Sequence, residues 1–464
     1  MKKNKVMDAD CVFEKKRWIS ITGLCNNNCL FCLDKERPDK YHKNKEEIKK
    51  EIHAAREQGC TKLILSGGDP TIHPHIIEFV KYASELGFSK IQVITNGRMF
   101  ASKHFTKEII ESGLHEVTFS IHGFNSTIHD ELTQVPGSFK QIKQGVKNVR
   151  ETDSSMIINT DTCVTLKNYV HMPKIIKYIV DVLKINEVNL MTMVPQGNAW
   201  EYKKDIMCEY EHIAPYVKEV IDFCIKRNVV LWLSRFPAEF LEGQEEFIED
   251  PYKLVDDVRG RLDMLKDTTN PKCKGERCNY CCLKNICDKF IKINEPDIKT
   301  KTKNPKEFEI TRKNYKKLDN FVNKKEKLVF RLKKPLKRVK EYEKVIPKIE
   351  EIMPFLKKVD YENIYVKDIP PCRLIKARIK KIKYIPDDKI NYAEFIKEGK
   401  KDYMGLAEEV AVTQKIKKQD CKMCIYYNQC TGLYLNYIRL FGFKELLPIK
   451  KKEQTQNEIK RNIK

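Results

Sequence analysis

The 464-residue chain has no uninterrupted apolar run of the ~18–20 residues that spanning a bilayer requires. Its long apolar stretch at 174–194 is broken by Lys177, Asp181, Lys184 and Glu187. Residues 1–10 are charged and lack the apolar centre of a secretory leader. A soluble cytoplasmic chain, without membrane insertion, is the expectation. No long internal repeat is visible. Acidic residues are in short supply: 88 Lys and Arg face 65 Asp and Glu, a net charge of +23. That balance suits either an acidic partner or a lysine-rich solvated surface. Hydrophobic residues are 41% of the chain, so a sizeable core can form, over two or three domains.

What is plentiful is cysteine, at 17 residues. In a reducing compartment a disulfide scaffold is not expected, and clustered thiols more often bind metal. Cys11, Cys60, Cys163, Cys208 and Cys224 are scattered and read as ordinary small residues. The rest gather around 25–32, 273–287 and 421–430, with Cys372 standing alone.

From 17 to 235 short β-branched runs alternate with longer amphipathic stretches. The runs are 18–22, 62–65, 90–94, 117–121, 157–164 and 188–194. Between them, apolar residues recur at helical spacing, as at Ile142, Val146 and Val149. Gly59, Gly87 and Gly113 follow three of these stretches, where a helix C-terminus favours glycine. Strand–helix alternation predicts an α/β fold with a parallel sheet, here a partial TIM-like (β/α)6 barrel. A further run at 229–234 could extend it. Beyond 237 the pattern is lost. Residues 301–350 carry eighteen Lys or Arg against seven Asp or Glu and allow no firm assignment.

Cys25, Cys29 and Cys32 are spaced C-x3-C-x2-C on the loop after the first strand. Three thiolates there can hold three irons of a cubane cluster and leave the fourth iron open. A structural zinc site would instead close with four protein ligands. With Phe31 before the last cysteine, this motif resembles the signature of the radical SAM superfamily. Further matches follow in order. Ser66-Gly67-Gly68-Asp69-Pro70 ends the second run and resembles the family's GGE motif, with Asp for Glu. Thr95-Asn96-Gly97 ends the third and Ser120 the fourth. Asn159 lies on the fifth, and Pro195-Gln196-Gly197 follows the sixth.

The resemblance implies a [4Fe-4S] cluster on Cys25, Cys29 and Cys32 that binds and reductively cleaves S-adenosylmethionine. The resulting 5′-deoxyadenosyl radical abstracts hydrogen from substrate. It also implies cofactor contacts at Phe31, Gly67, Gly68, Asp69, Pro70, Thr95, Asn96, Ser120, Asn159, Pro195 and Gly197. It names no catalytic residue.

Cys278-x2-Cys281-x5-Cys287 and Cys421-x2-Cys424-x5-Cys430 share one spacing. Cys273 and Cys372 are the candidate fourth ligands, and Cys281 is preferred to Cys282 because it keeps the shared spacing. Both groups resemble the SPASM and twitch auxiliary-cluster domains. The cysteine those domains show four residues after the last one is replaced by Ile291 and Tyr434. One or two auxiliary [4Fe-4S] clusters follow from the resemblance, with zinc as the alternative. The implied organisation is an extension at 1–16, the barrel at 17–236, and a first auxiliary region at 237–300. A basic connection at 301–360, a second auxiliary region at 361–449 and a polar tail at 450–464 complete it.

His73, His75, His122, His129, Tyr41 and Arg98 lie near the same face, but such residues are more often structural than catalytic. The basic run 331–340 could track a nucleic-acid backbone, yet no aromatic interleaves with its charges. Enzymes with this resemblance often modify peptides or proteins, which is the first expectation for the substrate. RNA modification is the second. A non-catalytic zinc or electron-transfer protein is the reading from another class. An electron donor such as a ferredoxin or flavodoxin is the implied partner.

Overall fold

The computed structural model describes residues 15–36, 41–259, 275–294, 306–320, 328–359, 364–379, 382–385, 390, 392–397 and 399–450. Cys11, Cys273 and the polar tail beyond Lys450 lie outside them. The chain divides into two units, Met1–Phe236 with Asn270–Cys282, and Pro237–Thr269 with Leu283–Lys464.

The first unit is built on seven parallel strands in sequential order: β1 (Lys16–Thr22), β2 (Lys62–Gly67), β3 (Lys90–Thr95), β4 (Glu116–Ser120), β5 (Ile157–Cys163), β6 (Glu187–Met191) and β7 (Val230–Ser234). The barrel thus has seven strands rather than six, with β1 and β7 as its edges. Alternation along each strand separates two faces. Leu63, Leu65, Ile91, Val93, Val117, Phe119, Leu190 and Leu233 are buried on one. Helices α1 (Lys45–Glu57), α2 (Ile76–Glu85), α3 (Lys103–Glu111), α4 (Ser126–Thr133) and α5 (Ser138–Thr152) bring apolar stripes such as Ile142, Val146 and Val149. Each stripe recurs at helical spacing because it must be buried on one side only. Gly59, Gly87 and Gly113 all have positive φ at the ends of helices.

The opposite face of the sheet is polar. Lys62 pairs with Glu116 at 2.6 Å near the start of the strands. Above them Gln92 donates to Thr118 at 2.7 Å, and Asn189 donates to Asp161 at 2.9 Å. Register partners share a face, so Ser120 stands beside Asp161 and Cys163 beside Met191.

The second unit contains a four-stranded parallel sheet of β8 (Lys306–Ile310), β9 (Leu328–Leu332), β10 (Ile364–Lys367) and β11 (Lys383–Tyr384), again in sequential order. It joins the expected 301–360 and 361–449 regions, so the boundary drawn between them runs through one sheet. The basic run is laced to carboxylates within this unit. Arg331 meets Glu307 at 2.9 Å, Lys333 meets Glu309 at 2.7 Å, Lys334 meets Glu409 at 2.8 Å and Lys337 meets Glu408 at 2.7 Å. The partly buried Arg331 and the more exposed Lys333, Lys334 and Lys337 are thus salt-bridged within the unit rather than forming a bare cationic track.

Candidate active site

The loop of Cys25, Cys29 and Cys32 leaves the carboxyl end of β1, the end at which barrel active sites are assembled. It is held from several sides. Asn28 and Leu30 donate backbone N–H groups to Thr133 and Leu132 at the end of α4, each at 3.0 Å. Asn96, just past β3, donates to Asn26 Oδ1 at 2.6 Å and to Cys25 Sγ at 3.6 Å. Arg98 reaches the carbonyl of Asn26 and lies 3.3 Å from Asn27 Oδ1.

Asn198 opens the short helix α6 (Asn198–Glu201). It donates its backbone N–H to the Cys32 carbonyl at 2.9 Å and its side chain to the Cys29 carbonyl at 2.8 Å. Gly197 before it has φ +57, and a Cβ there would lie 2.4 Å from the Cys32 carbonyl oxygen. The 195–197 turn therefore closes on the cysteine loop, which only a glycine allows.

All three thiols are free and partly buried. Burial pushes the Cys25 thiol up to about 11, with the Asp69 carboxylate adding to the shift. Burial also raises Cys29 and Cys32, and the three sulfurs disfavour one another's ionisation. Bound iron would reverse these shifts, since it holds thiolates. Among the described residues no three His, Cys, Asp or Glu side chains converge closely enough for one metal ion. A cubane asks for something else: each thiolate on its own iron around a shared space. The donor set fits that group. It has three soft ligands on one loop, and two N–H groups, Asn27 N at 3.3 Å and Asn96 Nδ2, directed at Cys25 Sγ.

The Gly67-Gly68-Asp69 loop abuts the same strand end. Gly68 and Asp69 donate to the carbonyls of Thr22 and Leu24 at 2.7 and 2.8 Å. A Cβ on Gly68 would fall 2.1 Å from the Leu24 carbonyl oxygen, so the backbones are in contact. Asp69 points inward and is fully buried. It accepts from Thr71 N at 2.9 Å, Thr95 Oγ1 at 2.9 Å, Asn96 N at 2.8 Å and the Thr71 hydroxyl. Its carboxylate ties the second strand end to the third, and its neighbour there, Asn96, grips the cysteine loop.

Asn159 is likewise engaged within the sheet, donating to Glu116 at 2.8 Å and accepting from the Thr118 hydroxyl. Ser120 is partly exposed at the end of β4, with no side-chain hydrogen bond among the described residues. Phe31 packs edge-on to His122, with ring centroids 4.6 Å apart. His122 Nδ1 accepts from Cys163 N, and His129 Nδ1 accepts from His122 N, each at 3.2 Å. His73 Nδ1 accepts from His75 N at 3.1 Å. These histidines are neutral structural acceptors.

Sequence reasoning missed Asn198, a single polar residue with no motif around it, and the placement of Cys163. The Cys163 thiol is buried within electrostatic reach of Cys29 and Cys32, and burial pushes it up to about 12.

The later cysteine groups share local geometry. Cys278 and Cys421 each lie in a 3₁₀ turn, Glu276–Tyr280 and Gln419–Met423. Cys281 and Cys424 each cap that turn, donating N–H to the first cysteine's carbonyl. Cys281 and Cys424 thus hold the same place in their turns. In the second unit Cys372, Cys421, Cys424 and Cys430 line one pocket. Cys372 stands in the first turn of helix Pro371–Lys376, which follows β10. Three of these sulfurs receive backbone N–H groups: Cys372 from Leu447 at 3.4 Å, Cys424 from Ile449 at 3.3 Å and Cys430 from Gly432 at 3.3 Å. Such donors orient metal-bound thiolates.

Residues 19–179 match the Radical SAM superfamily. A probable GTP 3′,8-cyclase of Saccharolobus solfataricus is 28% identical over 181 residues, 39% of this chain and 57% of that protein. An AdoMet-dependent heme synthase of Oleidesulfovibrio alaskensis is 27% identical over 197 residues, 42% of this chain and 50% of that one. The match thus spans about half the length of these relatives. Among solved structures, Streptococcus suis SuiB bound to precursor peptide SuiA is 18% identical with a TM-score of 0.42, covering 51% of this chain and 52% of that one. No helix among the described residues is long and apolar enough to cross a membrane.

Proposed function

Because residues 19–179 are a radical SAM domain, we propose that the chain is an enzyme that reductively cleaves S-adenosylmethionine and abstracts a hydrogen atom from its substrate. The observation that carries this reading is the trio Cys25, Cys29 and Cys32, clamped at one strand end by Asn96 and Asn198 beside the Gly67-Gly68 loop. Cys25, Cys29 and Cys32 would hold a [4Fe-4S] cluster, which with S-adenosylmethionine would supply the electron and the radical chemistry.

The chain's own part is placement. Cys25, Cys29 and Cys32 hold three irons. Gly67 and Gly68 let the backbone approach the methionine group, and Ser120 offers a hydroxyl at the strand end. Asp69 and Asn96 fix the loops on which these groups stand.

For the substrate, we propose a peptide or protein. The support is the pair of C-x2-C-x5-C groups, which resemble the auxiliary-cluster domains of peptide-modifying enzymes. Cys372, Cys421, Cys424 and Cys430 line one pocket, with four thiols for a closed centre. RNA is the weaker reading, because Lys333, Lys334 and Lys337 are paired with carboxylates. A ferredoxin or flavodoxin as reductant and a cytoplasmic setting suit the free thiols.

The test is anaerobic reconstitution with iron and sulfide counted per chain, then dithionite, S-adenosylmethionine and an assay for 5′-deoxyadenosine. Deoxyadenosine from the native chain and none from Cys29→Ala is the expected result. Its absence from a chain with a full first cluster removes the proposal. Pull-down with and without nuclease separates peptide from RNA, and recovery of a discrete RNA overturns the peptide assignment.

A further inference from the structure

The pocket of Cys372, Cys421, Cys424 and Cys430 is lined by Lys417, and Lys415 and Lys418 of the same short segment lie within electrostatic reach of Cys430 and Cys421; their charges are not equivalent. Lys415 is buried, with its ammonium 2.5 Å from Asp368 Oδ1. Asp368 also faces Arg331 at 3.6 Å and accepts from the Tyr434 hydroxyl at 3.0 Å. Lys418 lies 3.0 Å from Glu242 and 4.0 Å from Asp420. Both therefore have carboxylates against them.

Lys417 does not. Its ammonium donates to the Tyr427 carbonyl at 2.6 Å and sits 3.9 Å over the Tyr427 ring. No described carboxylate lies within 4.0 Å of it. Tyr427 belongs to the loop between Cys424 and Cys430, and both Tyr427 and Lys417 line the pocket with the four sulfurs. The lysine is thus clamped by neutral partners onto the chain segment that carries two of the thiols. Its charge reaches Cys430, whose thiolate it favours.

We propose that Lys417 sets the reduction potential of an iron–sulfur centre held by Cys372, Cys421, Cys424 and Cys430, raising it by stabilising the reduced state. The inference rests on the reading of these four thiols as an iron–sulfur site. One electron entering from an external reductant adds one negative charge to a centre already surrounded by four thiolates, with no bond made or broken. A fixed cation in a half-buried site lowers the free energy of that added charge, because Coulomb interactions are only partly screened there. Lys415 and Lys418 also favour the Cys430 and Cys421 thiolates, but each has a carboxylate against it that offsets part of its charge. Among these three lysines Lys417 is the one with no described carboxylate within 4.0 Å. With four protein ligands the site has no open iron, so its task is electron storage or transfer rather than substrate ligation.

The experiment is a potentiometric titration of the reconstituted full-length chain, followed by electron paramagnetic resonance, for the native protein, Lys417→Met and Lys417→Arg. The centre is identified as the signal lost in Cys372→Ser. Lys417→Met is expected to weaken reduction at least tenfold, about 59 mV lower for a one-electron couple, while Lys417→Arg keeps the native potential. Equal iron content and circular dichroism show that the variants are folded and loaded. An unchanged potential in a fully loaded Lys417→Met overturns the inference and leaves the iron–sulfur reading standing. If Cys372→Ser removes no iron signal, or the group holds zinc, the iron–sulfur reading fails and the inference falls with it.

Discussion

Asn198 donates its side-chain amide to the carbonyl of Cys29 at 2.8 Å, a bond that crosses from the end of the sixth strand back to the loop after the first. It holds the cysteine loop at Cys29, whereas Asn96 holds it at Cys25 and Asn26. Asn198→Ala leaves a partly buried carbonyl without its donor, at a cost of ~1–3 kcal/mol to the loop's geometry. The expected outcome is a chain that folds and takes up iron but loses the first cluster several-fold faster to a chelator. Cluster loss at the native rate would show that the clamp has no such role.

Asp69 stands where the related motif usually has Glu. It has four donors and no exposed surface. Asp69→Ala orphans those donors and is expected to cost ~3 kcal/mol or more, read as a lowered midpoint in chemical denaturation. Asp69→Glu restores the commoner residue but adds a methylene to a filled space, which costs ~1–3 kcal/mol. A Glu variant as stable as the native chain would mean that this carboxylate is not the buried tie between strand ends.

Cys163 raises a sharper question, because a fourth thiol near Cys29 could close a structural zinc site. Its backbone N–H is fixed to His122, and it lies at the end of β5 rather than on the loop that carries the trio. The three-thiolate reading predicts that Cys163→Ser keeps the first cluster and its response to S-adenosylmethionine. Cys29→Ser loses both. Loss of the cluster in Cys163→Ser would convert the site to a four-ligand centre with no open iron.

Much of the first unit was legible because parallel strands buried by helices read as short apolar runs punctuated by glycine. The seventh strand extends the same pattern. The second unit was not legible, for a physical reason. Its strands β8 and β9 carry Glu307, Glu309 and Arg331 within runs of five residues, and those charges are satisfied across the sheet rather than along the chain. Periodicity does not report a partner on another strand. The same limit hid Asn198. Cys372 could be nominated only by its isolation, whereas the pocket that gathers it with Cys421, Cys424 and Cys430 is a product of tertiary structure.

The stacked pair of His122 and His129 yields a pH dependence whose sign is fixed by hydrogen bonding. Burial pushes His129 down to about 4, and burial with the neighbouring His129 holds His122 well below its ordinary range. His129 Nδ1 must stay unprotonated to accept from His122 N. In the unfolded chain a histidine titrates near ~6.5, so between that value and about 4 the unfolded state binds more protons than the folded one. Stability conferred by the neutral ring is therefore complete above pH ~6.5 and is lost progressively as pH falls toward 4. For His129 the loss approaches ~3 kcal/mol across that window, as an order of magnitude. Denaturant unfolding at pH 7.5 and pH 5 should show the native chain weakening on acidification. His129→Asn, whose side-chain oxygen can accept at a similar place without titrating, should show a shallower dependence. Equal slopes for the two proteins would exclude His129 as the source of the acid sensitivity.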